Sequence, residues 1–320
     1  MGNQKIKPMA EGGILSAIAV AMALISIYVP LIGTMVAFIW PLPIIILVVR
    51  HGIRWGIMAS IVSCLLIAML IHPMQALMML IAFGLVGLVL GYNYRKGYGA
   101  FKSLGIGIIA SILAKIVVIA LSAVLLNINP FQMQMEAVDE GFKTSIEIYR
   151  TAGMSEEQLA TLETDIKHGM EVVKLLFPMI IVFAGIIDAF INFSVAGKVL
   201  RKLGNTDVVS LKPFSEWRMP IVVVYLYAFA LIGMYWGSTR EIELLFQISL
   251  NANVFATALG FIQGLTIFTT VANRYNLSKF LRGIILILVF TTGLFLQVLA
   301  FIGLFDIVFD YRHRLGWHKE

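Results

Sequence analysis

The sequence predicts an all-α polytopic membrane protein of about nine transmembrane helices, with one external amphipathic helical insertion. Three observations carry that prediction. Of 320 residues, 60% are hydrophobic and 13% charged, with mean hydropathy +0.92, whereas soluble domains carry about 25% charged residues. The apolar residues fall in unbroken runs of 17 or more, the scale of helices crossing a bilayer and not of ten-residue barrel strands. Finally, Lys and Arg gather in alternate connections, as expected when basic loops stay in the cytoplasm.

Spans are expected at 12–29, 32–49, 54–71, 75–94, 103–127, 172–198, 218–237, 251–272 and 282–305. Lys5 and Lys7 precede the first, and Arg50 and Arg54 follow the second. Arg95, Lys96 and Lys102 follow the fourth; Lys198, Arg201, Lys202, Lys212 and Arg218 follow the sixth. Arg274, Lys279 and Arg282 follow the eighth. This pattern puts the N-terminus in the cytoplasm of a multi-pass cell-membrane protein. Nine full spans would place Arg312, Arg314 and Lys319 outside. Either the last span is partly re-entrant, an earlier span is miscounted, or three basic residues are tolerated there.

In the first span, alanines at 17, 19, 21 and 23 form overlapping small-x3-small pairs, which let another helix backbone approach closely. They serve either a partner helix or ordinary packing within the bundle. Gly87 with Gly91 and Gly260 with Gly264 repeat the spacing, and for these internal packing is the simpler account. In the second span Trp40 lies beside Pro41 and Pro43. Proline removes a helix hydrogen bond, so a kink is expected there. The single cysteine, Cys64, lies in an apolar run and reads as a small packed hydrophobe.

Two ionisable residues fall deep in the membrane. Lys115 lies about halfway along the fifth span and Asp188 about halfway along the sixth, at depths that differ by about 3 Å. Ser111 precedes Lys115 by one turn and Asn192 follows Asp188 by one turn. A lone charge at the centre of a span costs about 2.5–3.5 kcal/mol on insertion scales, so the two helices should face each other with Lys115 and Asp188 paired. Such a layer is either a structural ion pair or part of a ligand pocket with Trp40 and Asn192. In the eighth span Gln263, Thr266, Thr270 and Asn273 recur at near-helical spacing and should face the bundle.

Between the fifth and sixth spans, residues 128–171 hold nine of the eighteen acidic residues and three basic ones. Gly153 reads as a helix stop, and Ser155-Glu156-Glu157-Gln158 as a capping box opening the next helix. Leu159, Leu162, Ile166, Met170 and Val173 give that helix an apolar face. The segment is either a hairpin over the outer end of the bundle or a lid over a cavity.

Enzyme chemistry finds no foothold. There is no Gly-x4-Gly-Lys loop and no His-Glu-x2-His pair, and histidines 51, 72, 168, 313 and 318 are scattered. No cofactor, metal site or nucleic-acid partner is expected, since the net charge of +6 is accounted for by topology.

Several segments resemble one family. Pro41-Leu42-Pro43 with Arg50-His51-Gly52, Asn192 with Leu200-Arg201-Lys202-Leu203-Gly204, and Pro213-Phe214-Ser215-Glu216-Trp217-Arg218-Met219-Pro220 are similar to YybS-like bacterial membrane proteins. Gly303-Leu304-Phe305-Asp306 through Tyr311-Arg312 fits as well. The first six spans resemble, more distantly, the substrate-binding S components of energy-coupling-factor vitamin transporters. In those proteins an Ala-x3-Ala motif of the first helix docks on a transmembrane coupling subunit, and Ala17 and Ala21 match it. The resemblance implies a six-span unit over 1–200, within which 128–171 is an insertion; the additional transmembrane helices over 201–320 depart from that pattern. It also implies a small-molecule binding or transport protein, set in membrane lipid and energised by a coupling subunit with separate ATPases. The alternative is a noncatalytic scaffold of the cell envelope.

Overall fold

A computed structural model describes residues 3–127, 129–205 and 208–314. Among them the regular structure is helical throughout, as a bilayer demands of chains that do not close into barrels. The protein is an all-α polytopic membrane protein. Eight stretches are long and apolar enough to cross a membrane: Ile6–Tyr28, Ile32–His51, Ile53–Leu70, Pro73–Arg95, Ala100–Leu125, Phe177–Lys202, Val222–Thr239 and Glu243–Arg274. A ninth is a helix pair, Lys279–Thr291 and Gly293–Phe309, bent by 105°.

The chain divides into two compact units, Met1–Thr164 with Ile180–Ser210, and Asp165–Met179 with Leu211–Glu320. In the first, α1 (Asn3–Tyr28) packs on α2 (Ile32–Phe38), α3 (Leu42–His51) and α4 (Ile53–Leu70). The second span is broken where Trp40 and Pro41 were expected to bend it: α2 stops at Phe38 and α3 starts at Leu42, with Pro41 as its cap. Proline fits there because a helix start has no use for its missing N–H. Trp40 fills the corner, buried among Ala19, Val20, Ala23, Ile67, Ala76 and Met79. Its indole N–H donates to the Ala19 carbonyl at 2.8 Å.

The fourth span is α5 (Pro73–Met79), a π-helical turn over Leu80–Gly84, and α6 (Leu85–Arg95). Widened turns of this kind often mark functional helices, and this one lies beside Trp40, whose ring is 4.0 Å from where a side chain on Gly84 would begin. Helix α6 packs against α3 and α7 (Ala100–Leu126).

Helix α8 (Pro130–Thr151) is capped by Asn129, whose side-chain oxygen accepts from the Phe131 and Gln132 amides. Gly153, at φ 90°, closes it. Ser155 and Gln158 then bond reciprocally, as the capping box requires, to open α9 (Glu156–Leu175). Along the expected apolar face Leu159 is buried, Leu162, Ile166 and Met170 are partly covered, and Val173 is exposed. Helix α10 (Phe177–Lys202) forms the sixth span.

In the second unit α11 (Val222–Thr239) and α14 (Gly293–Phe309) both pack on α12 (Glu243–Arg274). Gly260 and Gly264 belong to that internal contact. A side chain on Gly303 of α14 would collide with the Gly260 carbonyl and come within 2.5 Å of the Gly264 nitrogen. The last span, expected as one helix over 282–305, is instead α13 (Lys279–Thr291) followed by α14. Thr292 takes an extended conformation (φ −118°, ψ 110°), so its N–H closes the helix behind and its carbonyl opens the next.

Both ends of this bent pair lie at the C-terminal end of α12. Arg282 near the start of α13 donates to Asn273 and to the Ala272 carbonyl. Beyond α14, Arg312 donates to the carbonyls of Ser215 and Trp217, and Ser215 in turn accepts from Thr270. At 1.5 Å per residue α13 is only about 20 Å long, short of the roughly 30 Å hydrocarbon core. This is the geometry of a re-entrant pair. Of the three basic residues that conflict with nine full crossings, Arg312 is buried and bonded, Arg314 lies over the Phe309 ring, and Lys319 falls outside the described residues.

Candidate functional site

In the first unit α10 crosses α7 closely: a side chain on Gly185 would come within 3.1 Å of the Ile112 backbone nitrogen. That approach sets Lys115 and Asp188 against each other, as the matched depths predicted. Lys115 Nζ lies 2.7 Å from Asp188 Oδ2. Ser111 donates to the same oxygen at 2.6 Å and accepts from Lys115 at 2.8 Å. The carboxylate is almost wholly buried, while the lysine side chain is 21% exposed.

Asn192 extends the group. Its amide nitrogen lies 2.9 Å from each of three acceptors: Asp188 Oδ1, the Asp188 carbonyl and the Phe38 carbonyl. Phe38 is the last residue of α2, so the break in the second span releases a carbonyl that would otherwise lack a partner. Asn192 supplies one. The polar layer and the broken helix are therefore one construction. Asn192 Oδ1, by contrast, is buried and accepts from nothing among the described residues.

Of the residues expected to form a pocket, the structure brings together Lys115, Asp188 and Asn192. Trp40 sits two residues beyond Phe38 in a packed core, with its only polar atom satisfied. The alanines of α1 separate into two faces. Ala19 and Ala23 are fully buried against the Trp40 cluster, whereas Ala17 and Ala21 are exposed beside Ile14, Ile18 and Ile25.

A second polar group lies in the other unit. Arg312 and Asp306 are each about 1% exposed and pair at 3.2 Å. Gln263 donates to Asp306 at 2.7 Å and accepts from the Met219 amide at 3.0 Å. Arg218 holds Asp310 with two bonds of 2.7 and 2.8 Å. Burial pulls the Arg312 guanidinium below its ordinary pKa, with Asp306 opposing. Asp306 Oδ1 and Arg312 Nε are buried without hydrogen-bond partners among the described residues.

Sequence reasoning placed Gln263 on an inward face but missed this group. The acceptors at 215 and 217 are backbone carbonyls of an irregular segment, which carry no side-chain signature. The one available signal was the pair of unusual motifs at 213–220 and 303–312, which meet here. No three His, Cys, Asp or Glu side chains converge in a metal-holding arrangement among the described residues.

A family model described as a predicted membrane protein, DUF2232, matches residues 17–307. The chain belongs to the DUF2232 family. A relative in Bacillus subtilis (strain 168), the uncharacterized protein YybS, is 27% identical over 319 residues, covering 98% of this chain and 99% of its own. No solved structure matches. In this DUF2232 protein the matched region contains the whole Lys115–Asp188–Asn192 layer. It also contains Ser215, Trp217, Arg218, Gln263 and Asp306 of the second group.

Proposed function

We propose that this protein binds a small molecule in the membrane and serves its transport, without being an enzyme itself. The observation behind the reading is Asn192 Oδ1. Buried polar atoms are almost always paired, and an exception calls for an explanation such as a ligand or an ordered water. This one belongs to a charged layer that also holds the end of a broken helix, and broken helices recur at transporter binding sites. A ligand carrying an N–H or O–H donor would complete Asn192, whose amide nitrogen already bonds the Asp188 carboxylate that pairs with Lys115.

The S-component resemblance of the first six spans adds the rest of the proposal. The N-terminus lies in the cytoplasm, the membrane is the cell membrane, and ligand enters from the side of α8 and α9. Energy comes from a coupling subunit with ATPases, docked on the Ala17/Ala21 face. That face is apolar and open, so a helix can lie close against it.

The scaffold reading rests on a different observation, the dense packing around Trp40. A core filled by side chains organises partners and holds no ligand. Native purification followed by mass spectrometry of copurified small molecules separates the two. A molecule retained by the wild type and lost from a folded Lys115→Met, Asp188→Leu double variant supports binding. A double variant that folds and retains every ligand and partner makes the layer structural.

A further inference from the structure

We propose that the first unit carries a separate site for a phosphoryl group, in a basic cavity at the end of α3 and α6. The proposal does not depend on the transport reading. The cavity has a volume of about 640 Å³ and is lined by Lys7, Glu11, Arg50, His51, Arg95 and Asn205, among others. That volume lies within the range of about 300–1,000 Å³ usual for small-molecule pockets.

Basic residues at one end of a membrane protein ordinarily need no more than topology to explain them. Here three permanent cations from three helices converge on one hollow, which costs electrostatic repulsion unless an anion offsets it. Glu11 is already engaged: Arg50 lies 3.3 Å and His51 2.8 Å from the same carboxylate oxygen. Lys7 and Arg95 have no carboxylate partner among the described residues.

Arg95, though exposed, is tethered to backbone all the same. Its Nη1 donates to the carbonyls of Val48 and Val49 at 3.4 and 3.1 Å. The guanidinium lies over Gly52, where a side chain would begin 3.5 Å from Cζ. Gly52 is at φ +99°, where a side chain would be strained in any case. Backbone carbonyls thus orient this cation without neutralising it, and the far edge of its fork bonds to none of the described residues. A guanidinium fork, a second guanidinium and an ammonium from separate helices match an anionic phosphate, whose unesterified oxygens point in different tetrahedral directions, better than a planar carboxylate. A smaller adjoining hollow of about 280 Å³ shares His51 and Arg95 and adds Arg54, Trp55 and Lys96. It gives the remainder of the ligand a wall that is part aromatic and part basic.

Such a group is supplied either by an anionic phospholipid or by a soluble phosphate compound, and two probes tell them apart. Full-length protein in detergent is titrated with pyrophosphate by calorimetry. In parallel, retention of phosphatidylglycerol is counted by native mass spectrometry from mixed phosphatidylglycerol and phosphatidylcholine micelles. Lys7→Gln removes an exposed cation, and Arg95→Lys keeps the charge but loses the fork. Each is expected to weaken the probe that binds by about tenfold, the scale of one charge-assisted hydrogen bond. Lys102→Gln, an equal loss of charge at a residue that does not line the cavity, should leave binding within about twofold, since an exposed charge that does not touch the ligand is largely screened.

Lys7→Gln stays interpretable if Arg95→Lys fails to fold, because Lys7 is exposed and its side chain bonds to none of the described residues. Selective loss of phosphatidylglycerol assigns a lipid headgroup, and selective loss of pyrophosphate a soluble ligand. Binding of neither probe by the wild type overturns the site. So does equal weakening by Lys102→Gln, which would report diffuse charge alone.

Discussion

At the scale of single residues, Lys115 and Asp188 differ in how far each is buried, and this makes their loss unequal. Lys115→Met strands a carboxylate that is 1% exposed, with Ser111 and Asn192 the donors left to it among the described residues. Removing one partner of a buried pair typically costs about 3–5 kcal/mol, while replacing both is often nearly neutral. Lys115→Met should fall in that range. Asp188→Leu should cost less, because the lysine it leaves is 21% exposed and its long stem lets the ammonium reach polar surroundings. The double variant should recover much of the larger loss. Thermal unfolding of all four proteins in one detergent measures the coupling, and additive losses would mean the pair does not interact.

This layer was legible because its members are ionisable, deep, and each one turn from a polar neighbour. Asn192 was legible as a polar residue of that stripe but not as the partner of Phe38, since a freed carbonyl depends on where a helix breaks. The basic cavity was not legible at all. Lys7, Arg50 and Arg95 each had a sufficient explanation in topology, and only the fold shows that they share a wall.

At the scale of elements, α1 carries two alanine faces of opposite burial. Leucine at 19 and 23 would be driven into the space of Trp40 and Ile67, and overpacking typically costs about 1–3 kcal/mol per site. Ala19→Leu with Ala23→Leu should therefore lower the unfolding temperature clearly. Ala17→Leu with Ala21→Leu should leave it within a few degrees, yet abolish copurification of a membrane partner docked on that face. Retention of every partner by the folded Ala17/Ala21 variant would remove the docking role. Sequence spacing found the four alanines but not the division between them, because pairs at 17/21 and 19/23 have the same period and only the position of Trp40 distinguishes them. The broken ninth span was hidden for a related reason. Thr291, Thr292 and Gly293 are tolerated in membrane helices, and their dip in hydropathy is three residues wide, too short to end a span.

At the scale of the whole molecule, the return of α14 to the C-terminal end of α12 changes the count of crossings. Cysteine labelling in a Cys64→Ala background checks it. Single cysteines at 212 and 314 should be modified from the same side of the membrane, and one at 140 from the side opposite to one at 54. Modification of 314 from the side opposite to 212 would restore a ninth full crossing. Hydropathy made the first eight spans readable, since each is a long apolar stretch between polar ends. It does not report direction within a bent stretch, and there the bonds from Arg282 and Arg312 decide.

The clasp between residues 213–220 and 306–312 also has a consequence in time. A chain made from its N-terminus threads Ser215, Trp217 and Gln263 into place well before Asp306 and Arg312 exist. Through that interval the Ser215 and Trp217 carbonyls await the Arg312 guanidinium and the Gln263 amide awaits the Asp306 carboxylate, and Gly260 and Gly264 leave an open groove where α14 will lie. The second unit is therefore sealed by the last helix to emerge. A ribosome that stalls after α12 would leave a membrane-inserted chain with an unfilled polar notch, a mark by which an insertase could hold it or a membrane protease could choose it.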